Sequence, residues 1–342
     1  MIDTIRFTIS ARLRPQYNAP DALPIDWRAT ACGALASDRS SQRLKIHCDH
    51  LGLRIFGCQS CFTSVEVSLP RIIWGHNGRL IKSDKEFGNA LAWLQYLLGT
   101  ILLPSLPNDG FIPGFTARTT GCHYTRVDVV WQFPACDGVL AALRYARHAK
   151  IRSDPSVFKG RGVSLKGTFL EILAYDKVRQ MHLMKAITHE VHRVEIRLRG
   201  KALDDVYRYA DGRGYTRLDY DWCQEMLRRV ANETHAPLPP AGGSACIHQF
   251  IADLEAEYPH IGIVNRYILS QGLTRESARK FRNVVATRRR PPQGTREVAD
   301  LFPADAWPPP VEIDLPDVEK RHYGWLREYA ERFGSVTGGA AQ

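Results

Sequence analysis

The chain has 342 residues, 44% of them hydrophobic, and carries 46 basic against 36 acidic side chains, a formal net charge of +10. That is enough apolar material for a real core, which excludes a wholly disordered chain, and enough basic excess to favour a polyanionic partner. A spanning helix is not expected: the longest apolar stretch, ALAWLQYLLGTILLPSLP, is interrupted by Gly99 and Pro104, short of the roughly 18 residues needed.

In chain order, the first element is a strand over Thr4–Ser10. The start MIDTIRFTIS meets Asp3 at once and has no apolar run of signal-peptide length, so export is not expected. Alternation predicts further strands over Leu51–Phe56, Ser64–Leu69, Thr125–Phe133, Thr168–Tyr175 and Arg193–Arg199. Helices are predicted over Asp84–Leu98, capped by Asp84 and closed at Gly99, and over Gly138–Ala149 and Val178–His189. The alternating strands imply a mainly antiparallel sheet with one polar face and helices on the other, an α+β class. Residues 1–200 form this part. Residues 201–342 read as a mostly helical, basic region with an extended tail. It contains the Pro/Gly break APLPPAGGSA and ends in the amphipathic segment VEKRHYGWLREYAERFG.

The eight cysteines are irregularly spaced, which suits a reducing cytoplasm better than a disulfide framework. Cys58 and Cys61 form one C-x-x-C, with His47 and His50 nearby. Two readings stand: a zinc site, or a hairpin turn holding two thiols. The stretch THEVHRVEIRLRG holds His189, Glu190 and His192, but its histidines are three apart, not the four of the metalloprotease helix.

Three strands each carry a central carboxylate: Glu66 in SVEVSLP, Asp128 in YTRVDVVWQF and Glu195 in HRVEIRLRG. Acidic residues are uncommon in strands, and an isolated carboxylate there is poorly compensated. Either they bind a hard divalent ion, Mg²⁺ or Mn²⁺, or they form cross-strand pairs with Arg126, Arg193 and Arg197. In TFLEILAYDKVRQ, Tyr175 and Lys177 alternate onto one face. A phenol can serve as a phosphoryl-accepting nucleophile when a cation lowers the cost of its ionised form.

The start MID, VEVSLPRIIWGHN, the triplet RVD at Arg126–Asp128, LAYDK at Leu173–Lys177 and RVEIRLRG follow one another as in the replication initiators of filamentous bacteriophages, the gene II proteins and their relatives. RVD, YDK and RVEIR also look like plasmid rolling-circle initiators. The resemblance covers residues 1–200 best. It implies a site-specific nicking and rejoining enzyme of rolling-circle replication. Tyr175 matches the nucleophile, with Lys177 beside it. Glu66, Asp128 and Glu195 match the acidic strand residues, with His76 of the Gly75–His76–Asn77 turn as a supplementary ligand. The His-x-His pair that many such initiators use for metal is missing. Implied partners are phage duplex origin DNA and single-stranded DNA, with host helicase, polymerase and single-strand-binding protein, and no membrane. The implied location is the cytoplasm of a bacterial host.

The C-terminal segment RYILSQGLTRESARKFRNV has the outline of a helix-turn-helix, followed by RRR. Arg275, Arg279, Lys280, Arg282, Arg288, Arg289 and Arg290 are its candidate DNA contacts. A solvated basic helix making phosphate contacts alone explains the same pattern. Two other functions remain open: an origin-binding protein or repressor without chemistry, and a metal-dependent nuclease that uses water.

Overall fold

The structure is a computed structural model of the chain. It describes residues 2–17, 23–24, 26–31, 43–58, 61–105, 111–112, 123–134, 147–148, 151, 156–158, 162–183, 187, 190–203, 226, 230, 234–237, 295–297 and 311–333. The basic segment Arg275–Arg290 and the Pro/Gly break lie outside them.

Two compact units are present. Unit 1 comprises residues 1–130, 197–224 and 312–342, and unit 2 residues 131–196 and 225–311. The chain passes from the first to the second inside one strand, β7, and back inside another, β12.

Unit 1 contains β1 (Ile2–Leu13), β2 (Arg28–Ala31), β3 (Arg43–Cys48), β4 (Leu53–Cys58), β5 (Cys61–Ser68), α1 (Leu69–Trp74), α2 (Asp84–Ile101), β6 (Leu102–Pro104) and the first part of β7 (Tyr124–Pro134). The strand order is β2-β3-β4-β5-β1-β7, with β6 also paired to β1. Every paired ladder whose register is resolved here is antiparallel. Strict alternation in β1 buries Ile5, Phe7, Ile9, Ala11 and Leu13 and turns Arg6 and Thr8 to the other face. Helix α1 packs against β1, and α2 packs against α1 and β6; its buried Ala90, Leu94, Leu97, Leu98 and Ile101 recur at helical spacing.

The cap of α2 is Ser83, not Asp84: the Ser83 hydroxyl accepts from the Glu86 N–H at 3.2 Å, while the Glu86 carboxylate accepts from the Lys82 N–H at 2.7 Å. The helix also runs past Gly99 to Ile101, because the burial of Thr100 and Ile101 outweighs the propensity cost of one glycine. Helix α1 stops at Gly75, whose φ of 75° is the left-handed conformation of a helix end.

In unit 2 lie the end of β7, β8 (Arg147–His148), β9 (Ser156–Phe158), β10 (Gly162–Lys166), β11 (Leu170–Asp176), α3 (Lys177–Gln180), the first part of β12 (Val191–Arg199), β13 (Thr234–Pro237) and β14 (Thr295–Glu297). The order β12-β11-β10-β9 holds there, and β14-β13-β8 form a small separate sheet.

Two expected helices differ where they are described; residues 138–146 and 149 of the first lie outside the described residues. Arg147–His148 is strand, paired with Thr234 and His235 of β13, and ladder bonds override local preference there. The helix expected over Val178–His189 ends after one turn. His182 takes φ 59°, with Leu183 N–H donating to Val178 O and His182 N–H to Arg179 O. This is the paired bonding of a left-handed helix terminus, here without glycine. All six expected strands are found, each within three residues of its expected ends. In the tail, α4 (Pro316–Phe333) is the amphipathic segment and packs in unit 1. No helix among the described residues is long and apolar enough to cross a membrane.

Candidate nucleic-acid interface

In unit 1 the antiparallel registers set Arg54, Glu66, Arg6 and Arg126 in one row across β4, β5, β1 and β7: Arg54 opposes Glu66, Glu66 opposes Arg6, and Arg6 opposes Arg126. Glu66 accepts from Arg54 at 3.1 Å and lies 3.5 Å from Arg126. Asp128 is only 1% exposed. Arg126 forks onto it, with Nε 2.7 Å from Oδ1 and a terminal nitrogen on Oδ2, and Arg197 Nε stands 3.6 Å away. Two sequence-expected carboxylates are therefore paired with arginines: Glu66 across strands with Arg54 and Arg126, and Asp128 with Arg126 of its own strand and Arg197 of β12. Arg193 is fully buried and donates to the Gln132 side-chain oxygen.

In front of this row is a recess of about 640 Å³, lined by Arg6, Thr8, Thr63, Ser64, Thr125, Arg126 and Arg199. Among the described residues its walls carry guanidiniums and hydroxyls and no carboxylate. The sequence reading missed Arg6, Thr8 and Arg199. Alternation in TIRFTIS and RVEIRLR places them on polar strand faces, but no motif marks them.

Unit 2 holds the tyrosine. Tyr175 is 7% exposed, and its hydroxyl donates to Glu195 Oε2 at 2.9 Å, from β11 to β12. Lys177 is fully buried. Its Nζ donates to Gln180 Oε1 at 2.8 Å and lies 5.9 Å from the Tyr175 ring centroid. Between them, Asp176 is turned away to cap α3, accepting from the Val178 and Arg179 N–H groups.

His76 is placed elsewhere in unit 1. Its Nδ1 accepts from the Gly78 N–H, so in the neutral ring Nε2 carries the proton and donates to Glu319 of α4 at 3.2 Å. Arg79 also reaches Glu319, at 3.1 Å, and Lys82 reaches Glu312, also at 3.1 Å. Burial holds the His76 pKa below the ordinary imidazole value, against the pull of Glu319.

Among the described residues no three His, Cys, Asp or Glu side chains are grouped to hold a metal. Glu66 and Asp128 face arginines, Glu195 holds a phenol and His76 holds Glu319, so as placed these four do not fit a Mg²⁺ or Mn²⁺ site. For zinc, Cys58 and Cys61 are register partners at a hairpin end and are not joined in a disulfide; the Cys58 thiol donates to the Cys61 carbonyl at 3.5 Å. Cys48 lies 3.3 Å from His50 Nδ1, and burial pushes its thiol up to about 12.

No protein-family model matches the chain, and no curated protein matches it. Among solved structures, its fold is similar to that of a rolling circle replication initiator protein from Geobacillus stearothermophilus. The TM-score is 0.36 at 12% identity, over 72% of this chain and 89% of that one.

Proposed function

We propose that this protein is a rolling-circle replication initiator of the filamentous-phage kind, which nicks one strand of a duplex origin and later rejoins it. The observation that carries the reading is the hydrogen bond from the Tyr175 hydroxyl to the Glu195 carboxylate, on strands that also bear the LAYDK and RVEIR elements. A carboxylate at 2.9 Å is within reach to accept the phenolic proton. The Tyr175 oxygen then attacks the scissile phosphorus. The bond from phosphorus to the 3′-oxygen breaks, and that oxygen leaves as a hydroxyl after taking a proton from water. A 5′-phosphotyrosine remains, and the free 3′-OH primes synthesis. In the reverse step the displaced strand's 3′-OH attacks the phosphotyrosine and closes a circle, with Glu195 returning the proton. Lys177, with its Nζ 5.9 Å from the tyrosine ring centroid, offsets charge on the phosphate. No step is routed through a divalent ion. The expected host helicase, polymerase and single-strand-binding protein would act downstream of the nick.

A second reading, an origin-binding protein without chemistry, is favoured by the arginine pairing of Glu66 and Asp128 and by the low exposure of Tyr175. The test is incubation with supercoiled phage replicative-form DNA, with and without Mg²⁺ or Mn²⁺. The proposed enzyme gives nicked circles with protein covalently on a 5′ end. A water-using nuclease gives nicked circles without protein, and a binding protein leaves the DNA supercoiled.

A further inference from the structure

We propose that Cys58 and Cys61 are a redox pair. A low-molecular-weight disulfide such as glutathione disulfide oxidises them to a reversible cross-strand disulfide that closes the end of the β4–β5 hairpin. The hairpin alone supports this, independently of the chemistry proposed for Tyr175.

Register brings the two cysteines face to face. From Leu53 opposite Val67 to Phe56 opposite Ser64, β4 and β5 keep one unbroken register. Continued, it would set Gly57 against Thr63 and Cys58 against Phe62. The register shifts instead: Gly57 pairs with Phe62, and Cys58 with Cys61. Thr63 is thus the extra residue of a bulge on β5, and its hydroxyl donates to the Phe56 carbonyl at 3.5 Å. The bulge is what places one cysteine opposite the other. Directly opposed residues of an antiparallel pair have Cα atoms roughly 4.5 or 5.5 Å apart, and both spacings lie within the roughly 4.4–6.8 Å that a disulfide spans.

Gly57 keeps the strand ends close. A Cβ there would lie 2.4 Å from both the Cys61 carbonyl oxygen and the Phe62 Cα, so a side chain at this position would force β4 and β5 apart. The Cys58 thiol already leans over its partner's backbone, donating to the Cys61 carbonyl at 3.5 Å. Forming the disulfide exchanges this weak contact for a covalent bond.

Access separates the pair from Cys48. Cys58 and Cys61 are half-buried, open to a small oxidant, whereas Cys48 is buried and its thiol is held protonated by that burial.

The exchange balances with the oxidant alone. One protein thiolate attacks a sulfur of glutathione disulfide, the oxidant's S–S bond breaks, and one glutathione leaves as thiolate and takes up the proton that the protein thiol released. The second protein thiolate attacks the protein sulfur of the mixed disulfide, the bond to glutathione breaks, and the second glutathione leaves and is protonated in the same way. Two electrons pass from the cysteine pair to the oxidant. Excess glutathione runs the steps backwards.

The experiment equilibrates the full chain, folded or unfolded in urea, with glutathione and glutathione disulfide at a series of ratios without air. Acid stops the exchange, N-ethylmaleimide labels the remaining thiols, and trypsin releases Ile55–Arg71, which contains Cys58 and Cys61 and no other cysteine. The disulfide is this peptide unlabelled and two hydrogens lighter, and the dithiol is this peptide with two labels. The fold raises the effective concentration of one thiol at the other, so half-oxidation of the folded chain should fall at a ratio of squared glutathione to glutathione disulfide at least about tenfold higher than in the unfolded chain. G57A should move the folded midpoint towards the unfolded one. Coincident folded and unfolded midpoints, a G57A midpoint at the wild-type value, or a pair that stays reduced throughout overturns the inference. Stoichiometric zinc on the wild-type chain that C58S/C61S lacks, with the wild-type thiols protected from the oxidant, overturns it in favour of a metal site. Should G57A fold poorly by circular dichroism, the folded and unfolded wild-type midpoints decide.

Discussion

Replacing Tyr175 with Phe removes one oxygen and nothing else, and the structure sets what that costs. The lost bond is an O–H donated to a carboxylate that is only 4% exposed. Hydrogen bonds to charged groups contribute about 1.5–3 kcal/mol, most of it here the penalty of leaving Glu195 buried without that donor. At about 2–4 °C per kcal/mol, the thermal transition of unit 2 should fall by roughly 3–12 °C. Glu195→Gln keeps the shape and removes the charge, so the double variant should melt above the sum of the single losses, a coupling of about 0.5–3 kcal/mol. In chemistry the two changes separate. Tyr175→Phe should form no covalent adduct and no nick on origin DNA, while single-strand affinity stays at the wild-type value. Glu195→Gln should still form the adduct, slowed by about 10²–10⁴, the usual worth of a positioned proton acceptor. The assay is a gel shift of end-labelled oligonucleotide after denaturation, with mass spectrometry of the adduct. Nicking by Tyr175→Phe at the wild-type rate refutes the assignment, and Tyr124, buried edge-on against Phe7, becomes the next phenol to test.

Asp128→Ala strips a buried acceptor from Arg126 and Arg197 and should destabilise by about 3–5 kcal/mol in a thermal melt; an unchanged melt with loss of Mg²⁺- or Mn²⁺-dependent cleavage would instead mark Asp128 as a metal ligand. Replacing Arg288, Arg289 and Arg290 with Ala should lower the duplex salt slope by up to about 3 at roughly 0.9 per contact, with oligonucleotide cleavage at saturating enzyme unchanged. Burial holds His50, His76 and His322 below the ordinary imidazole value, so the unfolded chain binds more protons as the solution is acidified. Stability should be flat above about pH 6.5 and fall below it, by at most about 1.4 kcal/mol per pH unit for each histidine, with Glu319, Asp314 and Arg79 facing His76 and Asp26 and Arg71 facing His50. Denaturant melts that stay level from about pH 7 to 5 would contradict this. Gly75→Ala should lower the melting temperature, because its φ is 75° and the added Cβ would lie 2.8 Å from His322 Cβ; a neutral melt would show that α4 yields freely.

Strands with a clear apolar–polar alternation are legible, because period two with one apolar face has one solution on a sheet. Those missed were short or mixed. RLKIHC in β3 breaks its alternation with Lys45 and His47, and GVSLK in β10 opens on glycine. The early end of the helix after Lys177 was hidden because its stop signal is His182 in a left-handed conformation, where sequence reading looks for Gly or Asn. At the candidate site, residue type and face were readable but partnership was not. Glu66, Asp128 and Glu195 read alike in sequence, three acids among arginines. In the structure the first two meet guanidiniums and the third meets a phenol. Pairing depends on strand order and register, which a single strand's pattern does not contain.

The Gly75–His76–Asn77 turn shows why that distinction matters for function. It was singled out through a resemblance to enzymes, and His76 was expected to supplement a metal. Its atoms answer differently. Nδ1 is taken by a backbone N–H two residues on, and Nε2 by Glu319 more than 240 residues away. Gly75 gives the backbone close approach to His322, whose own Nε2–H donates to the Ile72 carbonyl. Arg79 and Lys82 complete the turn's surroundings with Glu312, Asp314 and Glu319. His76 Nε2, Arg79, the Leu80 N–H and Lys82 are thus all directed at α4 and the residues leading into it. A histidine with both ring nitrogens engaged cannot bind a metal without giving up one of these bonds. The turn therefore fixes α4 within unit 1, and the proposed chemistry is to be tested at Tyr175 and Glu195 rather than at His76.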